Sequence, residues 1–373
     1  MTSLDPALVL ETLPQMLLDV AAVERNIAIK ETWTRDHGMV LAPHIKTTMT
    51  EEIVRRQLPG CWGVTVATTA QAAKAAEWGA SRILIVNEVL FRAHLEKLRA
   101  MLAESPELEI YALADSAAGV AAAAEVFRGA TRPLKVLIDV GTPGGRTGIR
   151  AAEEAGPLAA LIADAGGLLL AGVSAYEGVA PNVRTEENLA AVDAHCRVAR
   201  DVFESLEFEV EEPVFTVGGS AFQDRAAMFL PEGAVNVLRS GCYVVHDHGT
   251  YAGVSPVPGL EAAAVVRALV VSGPEPGRVI LNAGKRELAY DAGLPLIVAH
   301  HRGGELLSSG GSGAPAGTVT KLFDHHAIVD EAAGLDVGDT VDLGISHPCS
   351  VFDRWREVVA VSAGGVEVWK PVF

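Results

Sequence analysis

At 373 residues, 49% of them hydrophobic, the chain is long enough for a barrel of roughly 250 residues plus a second, smaller unit. Its formal net charge of −17 excludes a binder of phosphate backbones and fits a small-molecule protein instead. No run reaches the roughly 20 apolar residues of a membrane span, and no basic segment leads into an apolar run at the start. A cytoplasmic location is therefore expected, with neither nucleic acid nor membrane as a partner.

In chain order, short apolar runs predict strands at Met39–Ile45, Gly63–Ala67, Arg82–Asn87, Glu109–Ala114, Lys135–Val140, Leu168–Ala175, Pro213–Val217 and Ala234–Leu238. The stretches between them, such as Ala70–Gly79 and Asn188–Glu204, are rich in helix formers. Strands alternating with helices require crossover connections and hence a parallel sheet. Eight such units fit a (β/α)8 barrel better than an open doubly wound sheet.

Beyond about Val254 the helical patterns stop. Strand-like runs at Ala262–Val271, Arg278–Leu281, Leu296–Ala299, Thr318–Leu322, Ala327–Val329, Thr340–Leu343 and Glu357–Ser362 are separated by Gly/Pro turns. The expected division is a barrel over residues 1–253 and an all-β unit over 254–373. Leu8–Thr12, within an opening segment of residues 1–14, is expected to return and pair with the β unit. Ser308–Gly317 reads as a mobile loop.

Catalytic groups of such a barrel sit at the carboxyl ends of its strands. The first predicted strand runs into His44 and Lys46. A lysine there either snorkels outward or does chemistry, since low-dielectric surroundings free its amine for Schiff-base formation. Past the later strands come Thr68, Asn87, Asp115, Asp139 with Arg146, and Tyr176 with Glu177. The last two give Gly218-Gly219-Ser220 and Ser240-Gly241-Cys242. Two small loops after the seventh and eighth strands, opposite a lysine, imply a cofactor gripped by its phosphate through backbone N–H groups, with pyridoxal phosphate the obvious choice.

In Ser346-His347-Pro348-Cys349-Ser350, residues i and i+2 of an extended strand would face one side, so His347 and Cys349 can reach one ion. Imidazole with thiolate favours zinc, and two protein ligands leave positions for water and substrate. The alternative is a buried thiol beside a turn histidine. His246-Asp247-His248 and Asp324-His325-His326 rank below this pair, the latter reading as a solvated turn. The four cysteines, Cys61, Cys196, Cys242 and Cys349, stand far apart, which speaks against a disulfide framework.

Pro43-His44-Ile45-Lys46-Thr47 resembles the P-H-x-K-T lysine motif of fold-type III pyridoxal-phosphate enzymes, in the branch holding D-threonine aldolases and D-serine dehydratases. Other landmarks follow in family order: Leu17-Leu18-Asp19 with Asn26, Asp139-Val140-Gly141 with Arg146-x-Gly148, and Tyr176-Glu177-Gly178. Then come Gly218-Gly219-Ser220, Arg239-x-Gly241-x-Tyr243 with Asp247, Asn282-Ala283-Gly284, and His347-x-Cys349. The resemblance spans nearly the whole chain. It implies an alanine-racemase-like barrel with a β unit, assembled as a homodimer. Lys46 would carry pyridoxal 5'-phosphate, Tyr176 and Arg146 would line its pocket, and Gly218, Gly219, Ser220, Gly241 and Cys242 would hold its phosphate. His347 and Cys349 would bind Zn2+ or another divalent ion such as Mn2+.

Aldolases of this group typically carry H-x-D at the metal site and a glutamine after the second strand. Here Cys349 and Ala67-Thr68 stand at those places, as in the dehydratases, although Ser350–Trp355 follows neither pattern. The implied activity is elimination from a D-β-hydroxy amino acid, D-serine giving pyruvate and ammonia, with Lys46 removing the α-proton. The alternative is a D-threonine-type aldolase, with His44 or metal-bound water as base at the β-hydroxyl. An amino-acid racemase and a non-catalytic cofactor carrier fit the metal motif less well. A metal-dependent barrel hydrolase fits poorly, because the first strand ends His-Ile-Lys and not His-x-His.

Overall fold

The computed structural model describes residues 12–309 and 316–373, which form two sheets. A first strand, β1 (Gln15–Asp19), leads directly into helix α1 (Val20–Asp36), whose N-terminus is capped by the Asp19 carboxylate accepting the Ala22 N–H. The barrel then follows as β2 (Val40–Leu41), β3 (Val64–Val66), β4 (Arg82–Glu88), β5 (Glu109–Ala114), β6 (Leu134–Val140), β7 (Leu168–Tyr176), β8 (Val214–Gly218) and β9 (Val235–Leu238). These eight strands are parallel, in the order β2-β9-β8-β7-β6-β5-β4-β3. Three contacts carry the sheet round from β2 to β3: Trp62 N–H donates to Leu41 O at 2.8 Å, Thr65 N–H to Pro43 O at 2.9 Å, and His44 bridges Thr65.

Side-chain alternation fills both faces of the barrel wall. Leu84, Tyr111, Leu137, Ala171, Val214 and Val237 pack together in one cluster, while Ile83, Ile85, Ile110, Val136, Val173 and Phe215 pack against the helices. Helices α2 to α8 (Glu51–Gln57, Thr69–Glu77, Arg92–Glu104, Ala117–Phe127, Ala155–Ala163, Glu186–Glu204, Gln223–Ala226) lie between strands. Thr68, Ser116 and Thr185 cap three of them, each side chain accepting a first-turn N–H, so these helices start where a hydroxyl follows a strand.

The second sheet is built from β1 and from β10 (Ala264–Glu275), β11 (Arg278–Leu281), β12 (Leu296–Arg302), β13 (Glu305–Ser309), β14 (Thr318–Leu322), β15 (Ala327–Asp330), β16 (Thr340–Gly344), β17 (Val358–Ser362) and β18 (Gly365–Trp369). Its main path is β13-β12-β16-β10-β1-β17-β18, with β11, β14 and β15 attached through β10. The parallel barrel and the all-β unit expected from the sequence are both present.

Three local expectations need correction. Met39–Ile45 is not one regular strand: β2 ends at Leu41, Pro43 lacks an N–H for the ladder, and beyond it only an isolated bridge from His44 to Thr65 precedes the 3-10 segment at Ile45–Thr47. Ser308 and Ser309 belong to β13, paired with β12, and the remainder of the supposed loop, 310–315, lies outside the described residues. Of the Leu8–Thr12 strand, residues 8–11 likewise lie outside them. The early segment that joins the β unit is β1, antiparallel to β10 (Leu17 opposite Val265) and parallel to β17 (Leu17 opposite Val359).

Candidate active site

The turn at Ile45–Thr47 fixes the lysine. Ile45 and Thr47 are buried, and Lys46 between them is half-buried, lining a cavity of about 780 Å3 at the carboxyl ends of the barrel strands. His44, Asn87, Asp139, Arg146, Tyr176, Gly218, Gly219 and Arg239 line the same cavity. Burial, then the nearby Lys46 and Arg239 cations, push His44 well below the ordinary imidazole range, so it is neutral. Its Nδ1 lies 3.1 Å from Thr65 O and must be the protonated nitrogen there, which leaves Nε2 with the lone pair.

Arg239 is buried beneath the cavity, donating to Ser174 Oγ (3.2 Å), Thr216 Oγ1 (2.9 Å) and Ala175 O (2.7 Å). Burial lowers it to about 10, and the charge of Asp139 opposes that. Asp139 accepts from Thr147 Oγ1 (2.9 Å) and Ser174 Oγ (3.1 Å), so it supports the wall with its oxygens already engaged. Arg146 stacks over the Tyr176 ring at 4.4 Å.

In the Gly218-Gly219-Ser220 loop the two glycines have room for no side chain. A Cβ at Gly218 would meet Arg239 Nη2 at 2.8 Å, and one at Gly219, where φ is +131°, would meet Glu177 Oε1 at 1.9 Å. Behind the loop, Glu177 is fully buried and accepts the Ala221 N–H at 3.1 Å. Burial raises it to about 8, so at neutral pH it is a protonated acid and puts no anion behind the loop. Lys46 and two glycines without side chains thus line one cavity, a residue set compatible with a lysine-bound, phosphate-bearing cofactor. At Gly241 a Cβ would lie 2.6 Å from both His44 O and Thr47 Oγ1, so this glycine lets the last strand's loop press against the lysine turn.

His347 and Cys349 do come together, though not on a strand. His347 is extended, but Pro348–Ser350 is a 3-10 turn, because Pro348 locks its own φ into the helical range. His347 Nδ1 is 2.7 Å from Asp291 Oδ2, and Asp291 Oδ1 accepts from Ser350 Oγ at 2.5 Å. The third member is Cys242, expected at the phosphate and found with its sulfur 3.1 Å from Cys349 Sγ. Ligand atoms of Cys242, His347 and Cys349 all lie within 4.8 Å of one another, and sulfur, sulfur and imidazole nitrogen form a donor set that suits zinc. The Cys242 hydrogen bond, His347 and Lys46 hold the Cys349 thiol well below its usual range, against its burial. His347 rises to about 9 through its bond to Cys349, with Asp291 adding to it. Cys349 Sγ is also 3.7 Å from Thr47 Oγ1, next to the lysine.

The competing histidines lie elsewhere. His246 and His248 face a separate cavity of about 560 Å3, and the Asp247 carboxylate between them accepts N–H groups of Gly249, Tyr251 and Ala252 in a turn. His325 is exposed beside Glu287, as a solvated turn requires. Sequence reasoning did not single out Asp291, which has no periodic or motif context, nor the joining of Cys242 to Cys349 across 107 positions. Arg239 entered the sequence analysis only as part of the Arg239-x-Gly241-x-Tyr243 landmark, with no role attached to it.

A nearly closed parallel barrel with a lysine turn after its first strand, joined to a β sheet that presents thiol and imidazole, defines a fold-type III pyridoxal-phosphate enzyme. The chain belongs to the D-serine dehydratase and D-threonine aldolase family of that class: residues 18–248 match the alanine racemase N-terminal domain, and residues 263–361 the putative serine dehydratase domain. It is 29% identical over 378 residues to a D-threonine aldolase of an Arthrobacter species, covering 98% of this chain and 93% of that one. To a D-threo-3-hydroxyaspartate dehydratase of Delftia sp. strain HT23 it is 26% identical over 385 residues, covering 98% of each. The solved structure of D-threonine aldolase from Filomicrobium marinum matches with a TM-score of 0.79 at 25% identity, over 96% of this chain and 95% of that one.

Proposed function

We propose that the chain is a pyridoxal-phosphate- and zinc-dependent lyase of D-β-hydroxy amino acids that eliminates water from D-serine, the product then taking up water to give pyruvate and ammonia. One observation carries this: the turn holding Lys46 and the turn holding Cys349 meet at one mouth, Thr47 Oγ1 lying 3.7 Å from Cys349 Sγ. The group proposed to accept the Cα proton and the group proposed to ligate the metal thus lie on turns that touch. The two relatives named above act on D-threonine and on D-threo-3-hydroxyaspartate, both D-β-hydroxy amino acids, by their names.

In this reading residues 1–253 hold the cofactor, 254–373 carry the metal motif, and the enzyme acts as a cytoplasmic homodimer. Bound pyridoxal phosphate supplies an electron sink for charge at Cα, and a bound divalent ion supplies a Lewis acid for the departing hydroxyl. Lys46 Nζ holds the cofactor and then takes the α-proton. Tyr176 and Arg146, stacked on each other, wall one side of the cavity. Gly218, Gly219 and Ser220 grip the phosphate, and the proton on Glu177 keeps that cradle free of a competing anion. His347 and Cys349 hold the ion.

A second reading, aldol cleavage to glycine and an aldehyde, is favoured by the names of the Arthrobacter and Filomicrobium relatives and by neutral His44. Its Nε2 lone pair suits a base that takes the β-hydroxyl proton. The experiment is a product assay on D- and L-serine, threonine and 3-hydroxyaspartate. Ammonia with a 2-oxo acid, from D-enantiomers only, is expected; glycine as the main product would replace the first reading by the second. Borohydride should fix a yellow chromophore to Lys46, and Lys46→Ala should lose adduct and turnover together. A colourless protein that takes up no added cofactor overturns both readings.

A further inference from the structure

The Cys242 thiol is buried and lies against the metal motif, whatever its backbone N–H does. We infer that Cys242 is a third protein ligand of the ion, making the site a Cys2His set with one position left for substrate. This rests on His347 and Cys349 being ligands. Both cysteines are free, and their sulfurs at 3.1 Å are beyond the roughly 2.05 Å of a disulfide bond but nearer than two unlinked sulfurs normally pack. A tetrahedral ion with bonds of about 2.3 Å to each sulfur would set them about 3.8 Å apart, so the pair opens by about 0.7 Å to admit it.

The backbone registers the three ligands with one another. Cys242 starts the 3-10 turn Cys242–Val244, and the chain that follows is tied to the strand-end segment leading into His347. His248 N–H donates to Ile345 O at 2.9 Å and Thr250 N–H to Ser346 O at 3.1 Å. Gly249 between them has no side chain, and a Cβ there would lie 2.8 Å from Ser346 O, so this approach needs glycine. His347, with Nδ1 committed to Asp291, has Nε2 as its ligand nitrogen. Two thiolates neutralise a dication and select zinc over manganese, because soft sulfur donors disfavour the harder ion. Three protein ligands and one open position is the catalytic zinc pattern, so substrate would enter through a single atom, the β-hydroxyl oxygen.

Zinc K-edge X-ray absorption of the holoenzyme tests this without turnover. The wild type should show two sulfur neighbours at about 2.3 Å, and Cys242→Ser and Cys349→Ser one each. In cobalt-substituted protein, the thiolate-to-metal charge-transfer band should fall by about half in either variant. A single sulfur neighbour in the wild type overturns the inference, and that measurement needs no variant to fold. So does a sulfur count unchanged by Cys242→Ser, or a Cys242–Cys349 disulfide in the metal-loaded protein. The underlying ligand reading fails separately: zinc retained at full stoichiometry, with unchanged sulfur count, in both His347→Ala and Cys349→Ser would place the ion elsewhere.

Discussion

Asp291 is a residue whose loss should be felt only through its neighbour. Its carboxylate takes His347 Nδ1 at 2.7 Å and Ser350 Oγ at 2.5 Å, fixing the imidazole so that Nε2 is the atom left to ligate the proposed ion. Partial burial pushes Asp291 up, but the bonds from Ser350 and His347 outweigh it and hold the carboxyl below its usual range. Outer partners of metal-bound histidines are worth about 10- to 100-fold in affinity, roughly 1.4 to 2.7 kcal/mol. Asp291 is 48% exposed and His347 21%, so solvent screening places this pair at the low end, about tenfold. Zinc affinity, measured by competition with a chromophoric chelator, should therefore fall about tenfold in Asp291→Ala. In a His347→Ala background the same substitution should cost nothing further, because the residue it orients is gone. A tenfold loss that persists in that background, or no loss in the single variant, would refute the positioning argument.

Chelation should abolish turnover and leave the bound chromophore's absorbance intact, and His347→Ala should behave like the chelated enzyme; if His347→Ala keeps both metal and activity, the ligand set is misassigned. Gly241→Ala forces a methyl to within 2.6 Å of His44 O and Thr47 Oγ1, and overpacking of this kind costs about 1 to 3 kcal/mol. Calorimetry should register a lower Tm together with weaker cofactor retention, and an unchanged pair of values would mean that the lysine turn does not depend on that approach. Glu177 is raised by burial from 4.5 to about 8, so the fold prefers its protonated form. Stability from that proton is complete at acid pH and is lost progressively as pH rises toward about 8, an order of 5 kcal/mol at most. Glu177→Gln should then gain on the wild type in denaturant unfolding as pH rises from 5 to 8 and hold a constant advantage above it; a pH-independent difference counts against the buried proton.

Much of the barrel was legible because each strand is a short run buried on both faces, which leaves a continuous apolar signature in the chain. Arg278–Leu281 and Thr318–Leu322 were equally plain, bracketed by turn residues. The β18 strand was not, since Val366 and Val368 stand exposed on the sheet edge and carry no burial signal. Nor was β13, whose residues Leu306 and Leu307 are both half exposed, so that no inside–outside alternation marks the pairing. At the site, Lys46 and His347 were readable from residue type and spacing. The strand geometry assigned to His347 and Cys349 was wrong in form, because Pro348 imposes a turn, yet the same two side chains converge. The contact of Cys242 with Cys349 could not be read, since the chain gives no local sign that two positions 107 residues apart meet.

That contact depends on how the two sheets are joined. β1 lies between β10 and β17 in the second sheet and continues without a break into α1, which packs on the barrel, so the chain enters the barrel only after laying down a central strand of the other sheet. The segment leaving β9 does the converse: it runs from the Cys242 turn to His248 and Thr250, bonded to Ile345 and Ser346, before β10 begins. Two crossings tie the sheets, one on each side of the barrel sequence. Either alone would leave a hinge between the lysine and the thiol–imidazole group. With both, the carboxyl ends of β2 and β9 and the turn after β16 meet, and in the proposed reaction a substrate held at Cα by one sheet would present its β-carbon to the other. Chemistry at Cα and Cβ together needs that fixed separation, since a misplacement of about 1 Å can cost a hundredfold in rate.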